Sequence, residues 1–145
     1  MSTISFGGER HERVSIEVLG YAHAALQGNP YDDNWLRVQV AVAAGSFRVS
    51  FGAMFLAQEL VKFHDELSVL YTSAKGGARF ETLEGQLFLD FRCDALGAVA
   101  LCGIARDQAG IGNKLNFSLK LDQTHMGSAL QQLKDTLAVY PVRNV

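Results

Sequence analysis

The feature that most limits how this chain can fold is a one-by-one alternation of apolar and polar residues. It is clearest between Lys114 and Asp122, where every second residue is apolar: Leu115, Phe117, Leu119 and Leu121. In an extended strand successive side chains point to opposite faces, so this segment predicts a strand with one buried face and one wet face. Such strands belong to antiparallel sheets, because parallel strands are covered on both sides and read as continuous apolar runs.

Two further alternating stretches, Leu36–Ala43 and Ser46–Phe51, predict a β-hairpin. They meet at Ala44-Gly45, which we interpret as a two-residue turn because glycine tolerates a positive φ. Pairing Ala43 with Ser46 makes every inward pair apolar, which fixes the register when one face is buried. The predicted inward pairs are Val42 with Phe47, Val40 with Val49 and Val38 with Phe51.

Weaker signals of the same kind predict the remaining strands. A second hairpin is expected to turn at Glu84-Gly85 and to place Phe80 opposite Leu89. An earlier strand carries its apolar residues at Val14, Ile16 and Val18, and residues 3–6 are expected to pair with it. A further strand covers about residues 98–106, with both of its sides apolar.

Helical periodicity occurs twice. In each segment apolar residues recur three and four positions apart, which gathers them on one side of a helix. The first stripe is Leu56, Leu60, Phe63, Leu67 and Leu70, and the second is Met126, Leu130, Leu133 and Leu137. Asp122 or Thr124 is the expected N-cap of the second helix, and Pro141 lies beyond its end.

Two amphipathic helices and six to seven strands with one apolar face predict an α+β fold. We expect a two-layer sandwich in which one antiparallel sheet of six to seven strands has both helices packed on one face. We find no internal repeat or linker, and 145 residues suit one core, so we expect a single globular domain over 1–145.

Charge and hydropathy exclude several classes of protein. The chain has 13 basic and 15 acidic residues and a formal net charge of −2, which is not the balance of a general nucleic-acid binder. No apolar run approaches the roughly 18 residues that span a bilayer, and the first ten residues lack the pattern of a signal peptide. We therefore expect a cytoplasmic protein that binds neither nucleic acid nor membrane.

Cysteine and histidine give no sign of a metal or a cofactor. Cys93 and Cys102 could approach each other only around a two-residue turn at Gly97-Ala98, so we favour buried free thiols over a disulfide. The four histidines, His11, His23, His64 and His125, show none of the spacings of a metal site. Our expectation is no metal, no cofactor and no catalytic residue.

Glu59 lies at the border of the first apolar stripe, about 60° from Leu56 on the helical wheel. A half-buried glutamate there could have a raised pKa and act as an acid or base in a pocket between helix and sheet. It could equally bind the backbone of a neighbouring strand. We favour the structural role, because no second catalytic group is visible beside it in the sequence.

The segment from Asn29 to Leu36 contains the only tryptophan and two acids. Asn-Pro favours a turn, and Asp32 or Asn34 could bond to its own backbone two residues on. If the even-numbered residues of the following strand face the core, Trp35 points to the outer face with Arg37. Trp35 is then either an interface anchor or covered by a loop that folds back, and the sequence leaves both open.

Four short segments resemble, in the same order, those of bacterial WapI-type immunity proteins. The most distinctive is Tyr-Asp-x-Asn-Trp-Leu. The matching segments here are Leu19-Gly20-Tyr21, Tyr31-Asp32-Asp33-Asn34-Trp35-Leu36, Leu56-x-x-Glu59-Leu60 and Tyr140-Pro141-Val142-Arg143. Where the family commonly has an Asp-Pro-Cys-like segment, this chain has Phe51-Gly52-Ala53-Met54, so no role of that loop carries over.

What the resemblance implies is a non-enzymatic binding protein that neutralises a cognate toxin domain by covering it. The candidate contacts are Asp32, Asn34, Trp35 and Arg37, together with the outer sheet face. Immunity proteins against nucleases are often strongly acidic, so a net charge of −2 argues against a nuclease target. Two alternatives stay open: a ligand-binding protein or enzyme with a pocket around Glu59, and a homodimer formed through the wet sheet face.

Overall fold

A computed structural model describes residues 2–8 and 12–144, and in them it places eight strands and two helices. The elements are β1 Ser2–Gly7, β2 Glu12–Tyr21, β3 Trp35–Ala44, β4 Phe47–Leu56, α1 Ala57–Ser73, β5 Gly76–Phe80, β6 Leu87–Cys93, β7 Val99–Gln108, β8 Ile111–Leu121 and α2 Gln123–Val139. The α+β class is confirmed. The single sheet of six to seven strands is wrong, because the strands form two four-stranded antiparallel sheets, β1-β2-β3-β4 and β5-β6-β7-β8.

The second half of the chain repeats the element order of the first: four strands in a meander, then a helix of 17 residues. α1 packs against β5, and α2 packs back against β1, so each helix covers an edge strand of the sheet that it does not follow. The two helices also contact each other.

Equivalent side chains close the two covered edges. Glu66 of α1 accepts a hydrogen bond from the backbone N–H of Arg79 in β5 at 3.1 Å. Gln132 of α2 accepts one from the backbone N–H of Ser5 in β1 at 2.8 Å. Each of these residues follows its helix N-cap by ten positions. An unpaired edge strand is a site for pairing with other chains, and these contacts satisfy part of each edge.

The hairpin between β3 and β4 keeps the predicted faces but not the predicted register. Its turn is Gly45-Ser46, with Gly45 at a φ of 62°, so Ala44 pairs with Phe47. Glycine takes the first central position of this turn because φ is positive there, whereas the sequence pattern placed it at the second central position. Each predicted pair is therefore wrong by two residues: Val42 pairs with Val49, and Phe47 is left exposed.

One hydrophobic cluster contains residues from both sheets and both helices. Its centre is a group of phenylalanines from β1, α1, β4, β5 and β6: Phe6, Phe63, Phe55, Phe80 and Phe91. Their neighbouring ring centroids are 5.0 to 5.7 Å apart in tilted or edge-on arrangements. Such pairs contribute about 1 kcal/mol each beyond the area they bury. They join the two sheets both directly, as in Phe6 with Phe91 and Phe55 with Phe80, and through Phe63 of α1.

The helix faces and the second cap agree with the sequence pattern. Leu60, Phe63 and Leu67 are buried on α1, and Met126 and Leu133 are buried on α2. Asp122 is the N-cap of α2, and its carboxylate accepts a hydrogen bond from the backbone N–H of His125 at 2.9 Å.

Both cysteines are free, as expected, but their burial was predicted wrongly. Cys102 is exposed on the outer face of β7 and pairs with Asp90, and Cys93 is half-buried at the end of β6. In the part of the chain that the structure describes, neither helix is long and apolar enough to cross a membrane.

Candidate functional site

The loop between β2 and β3 is shaped by Asn29. Its Oδ1 accepts hydrogen bonds from the backbone N–H groups of Tyr31 and Asp32, at 3.0 and 2.9 Å, and its Nδ2 donates to the Asp32 carboxylate at 2.6 Å. The sequence predicted Asp32 or Asn34 for this turn. Asn29 takes the role because the bonding side chain sits at the first position of the turn, directly before Pro30.

Asn34 is fully buried, and its side chain joins this loop to the C-terminal tail. Nδ2 donates to the carbonyl oxygens of Pro30 at 2.7 Å and Arg143 at 2.9 Å, and Oδ1 accepts from the backbone N–H of Arg143 at 2.6 Å. With 0 % of its surface exposed, Asn34 positions the loop and has no surface to offer a partner in this conformation.

Asp33 is also buried and was not among the residues singled out from the sequence. Its carboxylate accepts hydrogen bonds from the backbone N–H of Gln27 and from the side-chain amide of Asn144, the latter at 2.8 Å. These bonds, the first above all, and the nearby charge of Arg143 hold the pKa of Asp33 below its ordinary value. In the sequence Asp33 stands out only by its place between Asp32 and Asn34 in the motif, and that place does not show whether its side chain is buried or exposed.

Arg143 is the second residue that the sequence did not single out for a role of its own. Its guanidinium donates to three backbone carbonyls: Asp33 at 2.7 and 2.9 Å, His23 at 2.8 Å and Ala24 at 3.0 Å. It also lies 3.6 Å from the centroid of the Tyr21 ring. A planar group with five donors can serve several carbonyls and an aromatic face at once, which lysine could not do.

Tyr21 completes the contact between the end of β2 and the tail. Its hydroxyl donates to the carbonyl oxygen of Pro141 at 2.5 Å, and its ring lies edge-on to that of Tyr140, with centroids 5.6 Å apart. Burial raises the pKa of Tyr21, while the positive charge of Arg143 acts in the opposite direction.

The first turn of α1 joins the same region through backbone and side-chain bonds. The carbonyl oxygen of Asn34 accepts from the backbone N–H of Ala57 at 2.9 Å. The Glu59 carboxylate accepts from the backbone N–H of Leu56 at 2.7 Å and of Leu83 at 2.5 Å. Of the two bonds of a capping box, only the one from the N-cap backbone N–H to the Glu59 carboxylate is formed, because Leu56 has no side-chain acceptor for the other.

Burial raises the pKa of Glu59, and the two N–H bonds work against that rise. Both oxygens are engaged by backbone groups, which is the geometry that a structural role requires.

All four segments of the sequence resemblance therefore meet at one place. We call it the signature corner and define it as Tyr21, the loop Asn29–Asn34, the start of α1 at Leu56–Leu60 and the tail Tyr140–Asn144. Its contacts join residues up to 120 positions apart in the chain. The segments are buried or bonded mostly to one another, so much of the signature maintains the structure.

A partner can reach the outer rim of the signature corner, at Tyr31 and Asp32, and the adjoining outer face of β3, at Trp35 and Arg37. Asp32 and Arg37 are exposed, Trp35 is half-buried, and Tyr31 has 58 % of its surface exposed. Trp35 and Arg37 stand on the outer face of β3, whereas Asp32 lies in the loop that precedes the strand. No hydrogen bond joins Asp32 to Arg37 among the residues that the structure describes, so the four predicted contacts are near neighbours but not one bonded cluster.

Metal ligands do not converge in residues 2–8 and 12–144, where no group of three His, Cys, Asp or Glu side chains could hold an ion. His11, one of the four histidines weighed from the sequence, lies outside the described residues.

Comparison with known proteins identifies the family. No curated protein matches the chain. The family model described as the Immunity protein WapI-like family matches residues 5–141, which include Tyr21, the Tyr31–Leu36 segment, Glu59 and Tyr140-Pro141. Since the match spans almost the entire chain, this protein belongs to the WapI-like immunity protein family.

Proposed function

We propose that this chain is a non-enzymatic immunity protein that neutralises a cognate toxin domain by binding and covering it. The observation that carries the proposal is the family membership over residues 5–141. A reducing compartment suits its two free thiols, so we place it in the cytoplasm.

The contact surface that we propose is the outer rim of the signature corner with the adjoining outer face of β3. Tyr31 and Trp35 are aromatic, and Asp32 and Arg37 supply both signs of charge, which is the composition of an interface anchor with a polar rim. The bonds made by Asn29, Asn34 and Arg143 fix the loop before binding, and a preorganised loop loses less entropy when a complex forms.

The test is binding to the C-terminal domain of a toxin encoded beside this chain, with the two proteins purified separately and mixed. We expect a stable complex and protection of cells that express the toxin domain. Trp35→Ala should weaken the complex by about tenfold or more, as truncation of an interface aromatic commonly does. Val69→Ala is the matched control, because Val69 is exposed on α1, more than two helical turns beyond Leu60, where the signature corner ends on that helix.

Melting temperatures of all variants must be recorded, because Trp35 is half-buried and its truncation could act through stability. A folded Trp35→Ala variant that binds like the wild-type chain would contradict the proposed surface. Failure of the wild-type chain to bind or protect would contradict the proposed function.

The alternative of a ligand pocket around Glu59 has less support, because backbone N–H groups already occupy both carboxylate oxygens. A metabolite that raised the Tm of the wild-type chain but not of Glu59→Gln would favour this alternative.

A further inference from the structure

The outer face of the second sheet carries a concentration of positive charge that the sequence alone did not reveal. Alternation along β5, β6, β7 and β8 places five basic residues on this side, which we call the basic face: Arg79, Arg92, Arg106, Lys114 and Lys120. The strand register brings Arg106 opposite Lys114. Arg92 and Lys120 lie on either side of Ala100, which pairs with both of them from the strand in between.

The charge of this face is opposite to that of the whole chain. It holds five of the 13 basic residues and, on the same outward strand positions, one of the 15 acids, although the formal net charge is −2. That acid, Asp90, is shared between Arg92 at 3.2 Å and Arg79 at 3.8 Å. Within the described part of the chain, the other three cations have no acidic partner.

Near the centre of the basic face, a pair of apolar side chains lies beside the polar Asn116 and Ser118. Phe88 and Ile104 are half-buried on the outward side of β6 and β7 and pair directly with each other across the two strands. An apolar centre with a charged rim is the arrangement of a protein interface, because the centre provides burial and the rim sets specificity and encounter rate.

Protection of a sheet edge does not account for the pattern. Lysines on an edge strand such as β8 do discourage pairing with other sheets. Arg92 and Arg106, however, lie on the inner strands β6 and β7, where there is no edge to protect. A second copy of the chain is also a poor occupant, since a two-fold dimer would place like charges opposite one another.

We propose that the basic face docks a partner protein through an acidic surface that carries an apolar side chain at its centre. The inference rests on the proposed function, in that the partner is the toxin domain. It adds a second contact region and assigns the partner's chemistry by charge complementarity. Steering between opposite charges raises association rates and weakens as salt is added.

The experiment compares two double variants in binding to the purified toxin domain at low and high salt. Lys114→Glu with Lys120→Glu changes the basic face at two exposed side chains on β8. Lys62→Glu with Lys134→Glu is the matched control on exposed positions of the helices. Each pair takes the formal net charge from −2 to −6, two units for each substitution, so only the position of the change differs.

We expect the basic-face variant to bind about tenfold more weakly at low salt, mainly through slower association, and the difference to shrink at high salt. The control should stay within about twofold of the wild-type chain. Circular dichroism and the Tm of both variants check that they fold.

If the wild-type chain binds the toxin domain and the basic-face variant binds it equally well, this inference is overturned and the proposed function stands. Absence of binding by the wild-type chain would remove the proposed function, and the inference with it. Retention of a short DNA duplex by the wild-type chain, lost in the basic-face variant, would also overturn the inference in favour of a nucleic-acid surface.

Discussion

The side chain of Asn34, which the sequence suggested as a partner contact, makes its three hydrogen bonds to backbone groups of this protein. Replacing it with alanine removes three bonds and leaves the backbone N–H and the carbonyl of Arg143 without the buried amide that they bond, while the carbonyl of Pro30 keeps its bond from the side chain of Gln58. We expect Asn34→Ala to lower the free energy of unfolding by about 3 kcal/mol. Urea denaturation measures the loss. Asp32→Ala on the same loop, exposed, should cost about 0.5 kcal/mol or less.

Asp33 predicts a pH dependence. Its folded-state pKa lies below its ordinary value of 3.8, so its contribution to stability is complete above that value and is lost as the pH falls through the folded pKa. Asp33→Asn should therefore lower the Tm at neutral pH and flatten its fall on the acid side. Melting curves between about pH 3 and 7 test this, with Asp32→Asn as the control. An unchanged acid profile in Asp33→Asn would contradict it.

For single residues, the sequence identified the right segments but not the roles of the residues in them. The Tyr31–Leu36 segment and Arg143 both belong to recognised segments, yet nothing local indicates that Asn34 and Arg143 bond to each other across 109 positions. Local spacing reports neighbours along a helix or strand, whereas a contact between a loop and a distant tail depends on the finished fold.

Between β7 and β8 the packing depends on one glycine. Gly103 pairs with Phe117, and a Cβ at Gly103 would lie 2.2 Å from Cζ of that ring. Gly103→Ala should therefore destabilise the protein by about 1–3 kcal/mol, because the ring must leave its place over the glycine. Thermal melting measures the effect. Gly52→Ala, where the nearest atoms are 3.9 Å away, is the matched control and should be close to neutral.

A double variant separates this clash from a general intolerance of β7 to substitution. Phe117→Leu shortens the side chain that blocks the new methyl group, so the cost of Gly103→Ala should fall in that background. Equal costs in both backgrounds would show that the ring is not the cause.

For the elements, the alternation predicted which side of each strand is buried but not how many sheets there are. Leu115, Phe117, Leu119 and Leu121 do share the inner face of β8, and Phe80 does pair with Leu89. The burial pattern of a strand is the same whether its neighbours belong to one sheet or to two. The division follows from α1, which runs between β4 and β5 and leaves each sheet as a meander of consecutive strands.

Over the whole molecule, the repeated order of strands and helix is invisible in the sequence because equivalent positions differ in chemistry. The N-caps are Leu56 and Asp122, and the residues that close the edges are Glu66 and Gln132. Glu66 and Gln132 make the same kind of bond with different side chains, whereas Leu56 lacks the side-chain cap bond that Asp122 makes. Packing constrains the geometry of the two halves more tightly than it constrains residue identity, so the repeat is recognised from contacts.

The uneven distribution of charge bears on whether the chain forms a homodimer through the wet face of a sheet. The formal net charge of −2 is too small to keep two copies apart, but the charge is unevenly placed, with five cations and one carboxylate on the basic face. A two-fold dimer through that face would oppose like charges, and we therefore expect light scattering at low salt to give the mass of one chain, 15.8 kDa. Twice that mass at low salt would contradict the expectation and point to the outer face of the first sheet, where Ala41 and Ala43 line a shallow apolar depression. Ala41→Arg would then be expected to restore the single-chain mass, because it places a charge in the centre of that face.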